Sequence, residues 1–247
     1  MQSTYLKQQD LLWLKGSTPA AALTNLYFGL LDATDTEVTS TYATARATLA
    51  SASAWSTIAT VAGQREILSV LDVDFGNAIA NGTIPKIGIY SALTGGSLIG
   101  ILEAQNSIGE ATPIAAVSGS PLLIPSGNLR IAFNISSFTT YFIDIKLNWL
   151  KGTNYPTPPT TLYAAIGALT RQAISWGTNV TVGENLEIRN TATLTFTNAG
   201  SEITVSTLEI YDALTSGNKI AETTFSSVAI ATGESKQIQP SGVRLQV

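Results

Sequence analysis

Cysteine and histidine are both absent from the 247 residues, and methionine occurs once. Without cysteine there are no disulfides, no thiolate nucleophile and no thiolate zinc site. Without histidine the commonest metal ligand and the usual acid–base group near neutral pH are both missing. A Ser-His-Asp triad is excluded, which leaves a carboxylate pair or a lysine as the remaining routes to catalysis. Charge is also scarce, at 12% of residues, about half the usual share for soluble domains. Many small polar residues with few charges suit a chain that buries surface against other subunits. The net charge of −4 comes without any basic cluster, so nucleic acid has no electrostatic footprint here. No apolar run reaches the roughly 18 residues needed to cross a bilayer. The opening MQSTYLKQQD lacks the basic and apolar regions of a signal peptide. The expectation is a soluble protein made in the cytoplasm, with no cofactor, no membrane partner and no nucleic-acid partner.

What is present is an internal duplication. Thr4–Gly16 (TYLKQQDLLWLKG) recurs as Thr140–Gly152 (TYFIDIKLNWLKG). Trp55–Gly100 lies on Trp176–Ala221 without a gap, and 17 of those 46 positions are identical. They include Phe75/Phe196, Asn77/Asn198, Tyr90/Tyr211 and Ala92-Leu93-Thr94 against Ala213-Leu214-Thr215. A last match sets Pro125-Ser126-Gly127 against Pro240-Ser241-Gly242. The pattern predicts two tandem modules, 1–135 and 136–247, with the boundary near Asn134–Phe138. Each is long enough to bury its own core.

Each copy opens on an expected helix, Thr4–Gly16 with Ser3 or Thr4 as N-cap, and Phe138–Leu150. Trp13 and Trp149 hold equivalent places near the helix ends. They read either as exposed anchors for a partner or as rings packing each helix onto its own module. The prolines Pro156, Pro158 and Pro159 form a stiff connector inside the second module. The rest reads as strands. Asn25–Leu31 and Thr161–Leu169 are β-prone and bounded by turn residues. Leu68–Phe75 alternates, with Leu71, Val73 and Phe75 on one face and Asp72 and Asp74 on the other. Hairpins follow at Lys86–Leu102 and Leu208–Thr224, and a Pro-Ser-Gly turn leads into each last strand. The fold class expected is mainly β: two small antiparallel β-sandwich or barrel modules, each preceded by a short helix.

The offset between the copies is 136 residues before the stretch Asp32–Ala54 and 121 after it. Copy one therefore carries fifteen more residues there, and length differences between repeats map to loops, often on a binding face. Thr34, Thr36, Tyr42 and Arg46 in this loop are the candidate partner-binding residues. Other signals each have a plainer reading. Asp72 and Asp74 could offer oxygens to Ca²⁺ or simply face solvent; copy two has Thr193 and Thr195 there. Gly95, Gly96 and Gly100 suggest a phosphate loop or a hairpin turn. Glu66 and Glu187 are a shared acidic pair, each without a second carboxylate in sight. Arg46 and Arg171 read as partner anchors or surface arginines. Asn81, Asn134 and Asn179 begin glycosylation sequons that a Thr/Ser-rich chain produces by chance.

The order of elements then carries a resemblance. A helix ending in LKG is followed by a Pro/Thr connector, LYxxL or LYxxI, an Arg-bearing loop, a Trp, FxNA, IY(S/D)AL and a PSG turn. This order resembles small virion structural proteins of tailed bacteriophages, of the tail-fibre and head-decoration kinds. The resemblance spans nearly the whole chain, and the long copy-one loop departs from it. In such proteins one module typically makes a subunit. The resemblance implies a non-catalytic virion protein, foremost a capsid cement that binds the outside of a phage head. Its partners would be the major capsid protein or other virion subunits, with a homo-oligomer, a trimer by analogy. A tail or baseplate component in host attachment is the alternative, and a carbohydrate-binding module the second.

Overall fold

The fold is given by a computed structural model that describes residues 2–105, 110–135 and 138–247. It is mainly β, with twelve strand pairs antiparallel among the described residues. The first half runs α1 (Thr4–Leu14), β1 (Asn25–Leu31), α2 (Thr39–Tyr42), β2 (Ala47–Ala50) and α3 (Ser51–Ala54). It continues through β3 (Ala59–Val61), β4 (Gln64–Leu68), β5 (Val73–Asn77), β6 (Gly82–Ile84) and β7 (Lys86–Tyr90). Then come β8 (Leu98–Glu103), β9 (Ile114–Ala116), β10 (Pro121–Ile124) and β11 (Arg130–Asn134). The second half runs α4 (Thr140–Leu150), β12 (Leu162–Ile166), β13 (Gln172–Ile174), β14 (Val180–Val182) and β15 (Asn185–Arg189). It closes with β16 (Leu194–Thr197), β17 (Ile203–Tyr211), β18 (Lys219–Ile230), β19 (Ser235–Ile238) and β20 (Arg244–Gln246).

Two compact units emerge. Unit 1 comprises residues 1–6, 21–133 and 146–154; unit 2 comprises 7–20, 134–145 and 155–247. Unit 1 has a four-stranded sheet β2-β1-β7-β8, a three-stranded sheet β11-β4-β3, and the pairs β10-β5 and β6-β9. Unit 2 has β13-β12-β17-β18, β14-β15-β20 and β16-β19. The first three sheets of unit 1 correspond to these strand for strand, and β6-β9 matches the far ends of β17 and β18. The register corresponds too, with Tyr27 opposite Tyr90 and Tyr163 opposite Tyr211. Ser136 and Ser137, in the expected module boundary, lie outside the described residues, as does the end of the Asn134 sequon.

Local chemistry explains most elements. Ser3 Oγ accepts from Leu6 N and caps α1, replacing a donor bond the first turn lacks. Gly16 and Gly152 follow the helices at φ +78 and +83, a left-handed turn that glycine adopts without a Cβ clash. α4 starts at Thr140, later than the expected Phe138, because Phe138 is held in a bridge to Ala221 and Thr139 N donates to Ile220 O. β1 buries Leu26, Phe28, Leu30 and Leu31 completely. The unit 2 core centres on Phe142, Phe196, Ile188 and Ile220, none more than 0% exposed.

The expected single strand Leu68–Phe75 is two strands, broken between Leu68 and Val73. Ser69 causes the break: its N donates to Leu129 O, and its Oγ accepts from Gly127 N and Leu129 N. Asp72 Oδ1 takes Ser126 N at 2.8 Å. The chain thus turns to the Pro125–Gly127 turn, and Leu71 is left 42% exposed instead of facing the core. Asn190 does the same work in unit 2, accepting from Val243 N and donating to Ala192 O and Gln239 O.

Candidate interaction surface

The loop that follows β1 is fixed by one carboxylate. Asp32 Oδ1 accepts from Thr34 N at 2.8 Å, Thr34 Oγ1 at 2.7 Å and Thr36 N at 3.0 Å. Thr34 Oγ1 and Thr36 Oγ1 meet at 3.1 Å. Thr34 foremost, then Thr36, holds the Asp32 carboxyl below its ordinary value. A depressed carboxyl adds stability above its unfolded value, about 3.9, and that stability is lost as pH falls through the folded value. The Thr34 and Thr36 amides should therefore keep their exchange protection at pH 5 and lose it only in strong acid, as NMR amide exchange can check. Across the loop, Asp35 pairs with Lys86 at 2.6 Å, and Lys86 also donates to Ala33 O. The candidate threonines are exposed but their hydroxyls serve the loop's own geometry.

Arg46 faces inward. Its side chain is 8% exposed and grips Glu37 bidentately, Nε to Oε1 at 2.7 Å and Nη2 to Oε2 at 2.6 Å. Nη1 donates to Ala92 O and Gly95 O, and the guanidinium lies 3.5 Å over the Tyr90 ring. Glu37 holds the guanidinium above its ordinary value. Arg171 repeats the motif on Ala213 O, Ser216 O and the Tyr211 ring at 3.4 Å, but among the described residues no carboxylate pairs with it. Both arginines clamp the hairpin turn of their unit, which gives Arg46 a structural role. Gly95 and Gly96 sit at φ +61 and +71 in that hairpin turn.

Tyr42 stands elsewhere in the same loop, half-buried over Gly82. A Cβ at Gly82 would fall 2.0 Å from the ring, so only glycine fits beneath it. Tyr42 O accepts from Ile79 N, and Ser118 ties the adjacent turn to Ile79 O and Asn81 Oδ1. Here Ile79 is 47% exposed and Val117 55%. The corresponding turn of unit 2, where Gly233 N donates to Asn198 O and Glu234 N to Ala231 O, has Ala199 and Gly200 near the place of Ile79 and Ala231 at that of Val117. Among the described residues, this turn exposes large apolar side chains in unit 1 and not in unit 2. The sequence reading missed Ile79 and Val117; the contrast of Ile79 with Gly200 between the repeats was the signal available.

The remaining candidates have local partners. Asp74 Oδ1 accepts from Gly76 N, and no group of three metal-ligating side chains occurs among the described residues. Glu66 pairs with Arg130, and Glu187 with Arg189. Asn179 Oδ1 accepts from Lys15. Trp13 and Trp149 are 1% exposed and Trp55 5%, while Trp176 is half-buried. The exposed-anchor reading of Trp13 and Trp149 is thus overturned by burial. The packing reading needs its own correction, since Trp13 lies in unit 2, against Phe142 with centroids 5.6 Å apart. No helix among the described residues is long and apolar enough to cross a membrane.

The described residues thus form an antiparallel β framework whose candidate polar groups are committed to turns, with Ile79 and Val117 exposed at one turn of unit 1. The sequence model of the family described as podophage GP4 fiber I protein gp80 matches residues 1–129, more than half of the chain. The chain belongs to that family; it is a bacteriophage structural protein and a virion component. The second repeat lies beyond the matched residues. Among curated proteins, none matches the chain.

Proposed function

We propose that this chain is a non-catalytic component of a phage tail fibre, and that the apolar end of unit 1 docks it onto a neighbouring virion subunit. The family match to a fibre protein carries the tail assignment in preference to capsid cement. The surface assignment rests on Tyr42, Ile79 and Val117, which cluster in the unit whose sequence the family model covers. Exposed apolar groups of this kind lose little by docking and gain by leaving water, about 25 cal/mol per Å² buried. Tyr42, seated over Gly82 and joined through its carbonyl to Ile79 N, orders the surface beforehand, which lowers the ordering cost of binding.

The double variant Ile79→Asp, Val117→Asp tests this. Both side chains are about half exposed, so stability should change by only about 0.5 kcal/mol for each. Assembled particles should nevertheless lack the variant, as shown by blotting purified virions from cells that supply it in place of the natural chain. Normal incorporation of a folded double variant would remove this surface from the account.

A further inference from the structure

Each unit combines the strands of one repeat with the end of the helix that opens the other. Residues 7–20, most of α1, are part of unit 2, and residues 146–154, the end of α4, are part of unit 1. Within unit 2, Trp13 Nε1 donates to Pro156 O at 2.9 Å, Tyr155 Oη donates to Asp10 at 2.7 Å, and Lys7 reaches Asn185 Oδ1 at 3.1 Å. Lys15 donates to Asn179 Oδ1, and a Cβ on Gly16 would fall 2.8 Å from Pro159 O. Within unit 1 the matching residues at the end of α4 contact the first repeat. Trp149 packs on Tyr5, Lys151 donates to Ser56 O, Asn154 Oδ1 takes Ala22 N, and Gly152 abuts Ser51 and Leu23.

Equivalent residues, Trp13/Trp149, Lys15/Lys151 and Gly16/Gly152, therefore dock reciprocally. We infer that the module carries a groove for a Trp-Leu-Lys-Gly helix end supplied by another repeat, and that α1 of a second copy of the chain can fill the unit 2 groove. Exchange of an identical element costs little, because the contacts made are those already present in the single chain. The groove also explains why Trp, Lys and Gly recur at the ends of both helices: all three touch residues of the opposite repeat.

The test uses the whole chain with Trp13→Phe and, separately, Trp149→Phe, which keep a ring and remove the indole. Hydrogen exchange should quicken about tenfold in residues 155–189 for the first variant and in residues 21–68 for the second. Faster exchange in the variant helix's own repeat would overturn the inference. Refolding the natural chain from denaturant should give monomer at low protein concentration and a rising share of dimer at high concentration. Monomer at every concentration would refute exchange with a second copy.

Discussion

Alanine at Trp13 should cost about 3–5 kcal/mol of stability, the usual price of emptying a fully buried Trp site. The ring is 1% exposed, stacks obliquely on Phe142 and donates its indole N–H to Pro156 O. Removing it leaves a cavity beside Phe142 and an unmatched carbonyl at the head of the proline connector. A native domain is stable by only about 5–15 kcal/mol, so such a loss brings unit 2 close to unfolding at 37 °C. Urea denaturation followed by circular dichroism should show a much lower midpoint. A shift as small as that of an exposed substitution would mean Trp13 is not the anchor described here.

Arginine 46 supplies the second large effect. Arg46→Ala should destabilise the protein by about 2–4 kcal/mol, and Arg171→Ala by about 1–2 kcal/mol. Both changes release two turn carbonyls and a Tyr face. Only Arg46→Ala also strands a carboxylate, that of Glu37, which is 26% exposed and so partly rescued by water. The ordering of the two losses is the sharper expectation, since both are measured in the same chain. Equal losses would show that the Glu37 pair contributes nothing net. The companion change Glu37→Gln, combined with Arg46→Ala, should recover part of the loss.

How much of this was legible beforehand follows from what is local. The bounds of β1 at Asn25–Leu31, the Leu93–Gly96 turn and the glycines after α1 and α4 rest on neighbouring residues, and reading them from the sequence succeeded. The break at Ser69 was missed although the alternation slips there: Ser69 falls on the face of Leu71 and Val73, and Val70 on that of Asp72. What ends the strand is the turn at Pro125–Gly127, some distance along the chain. Trp13 was legible as buried but not where, since helix periodicity does not say which strands receive the apolar face. In the site, the extra length of copy one pointed to the Asp32–Ala54 loop, and Tyr42 remains part of the surface. Arg46 looked like a surface arginine because its partners Glu37, Tyr90 and Gly95 come together only when β1 and β7 pair. Ile79 and Val117 were hidden for the same reason: exposure is a property of the folded turn and not of the residue.

Quantitative mass spectrometry of purified phage particles tests the central claim most directly. A tail-fibre component should be present at a few to a few tens of copies for each particle, in a small-integer ratio to other tail proteins. Its absence from purified particles, or a count on the order of hundreds matched to the major shell protein, would contradict that account.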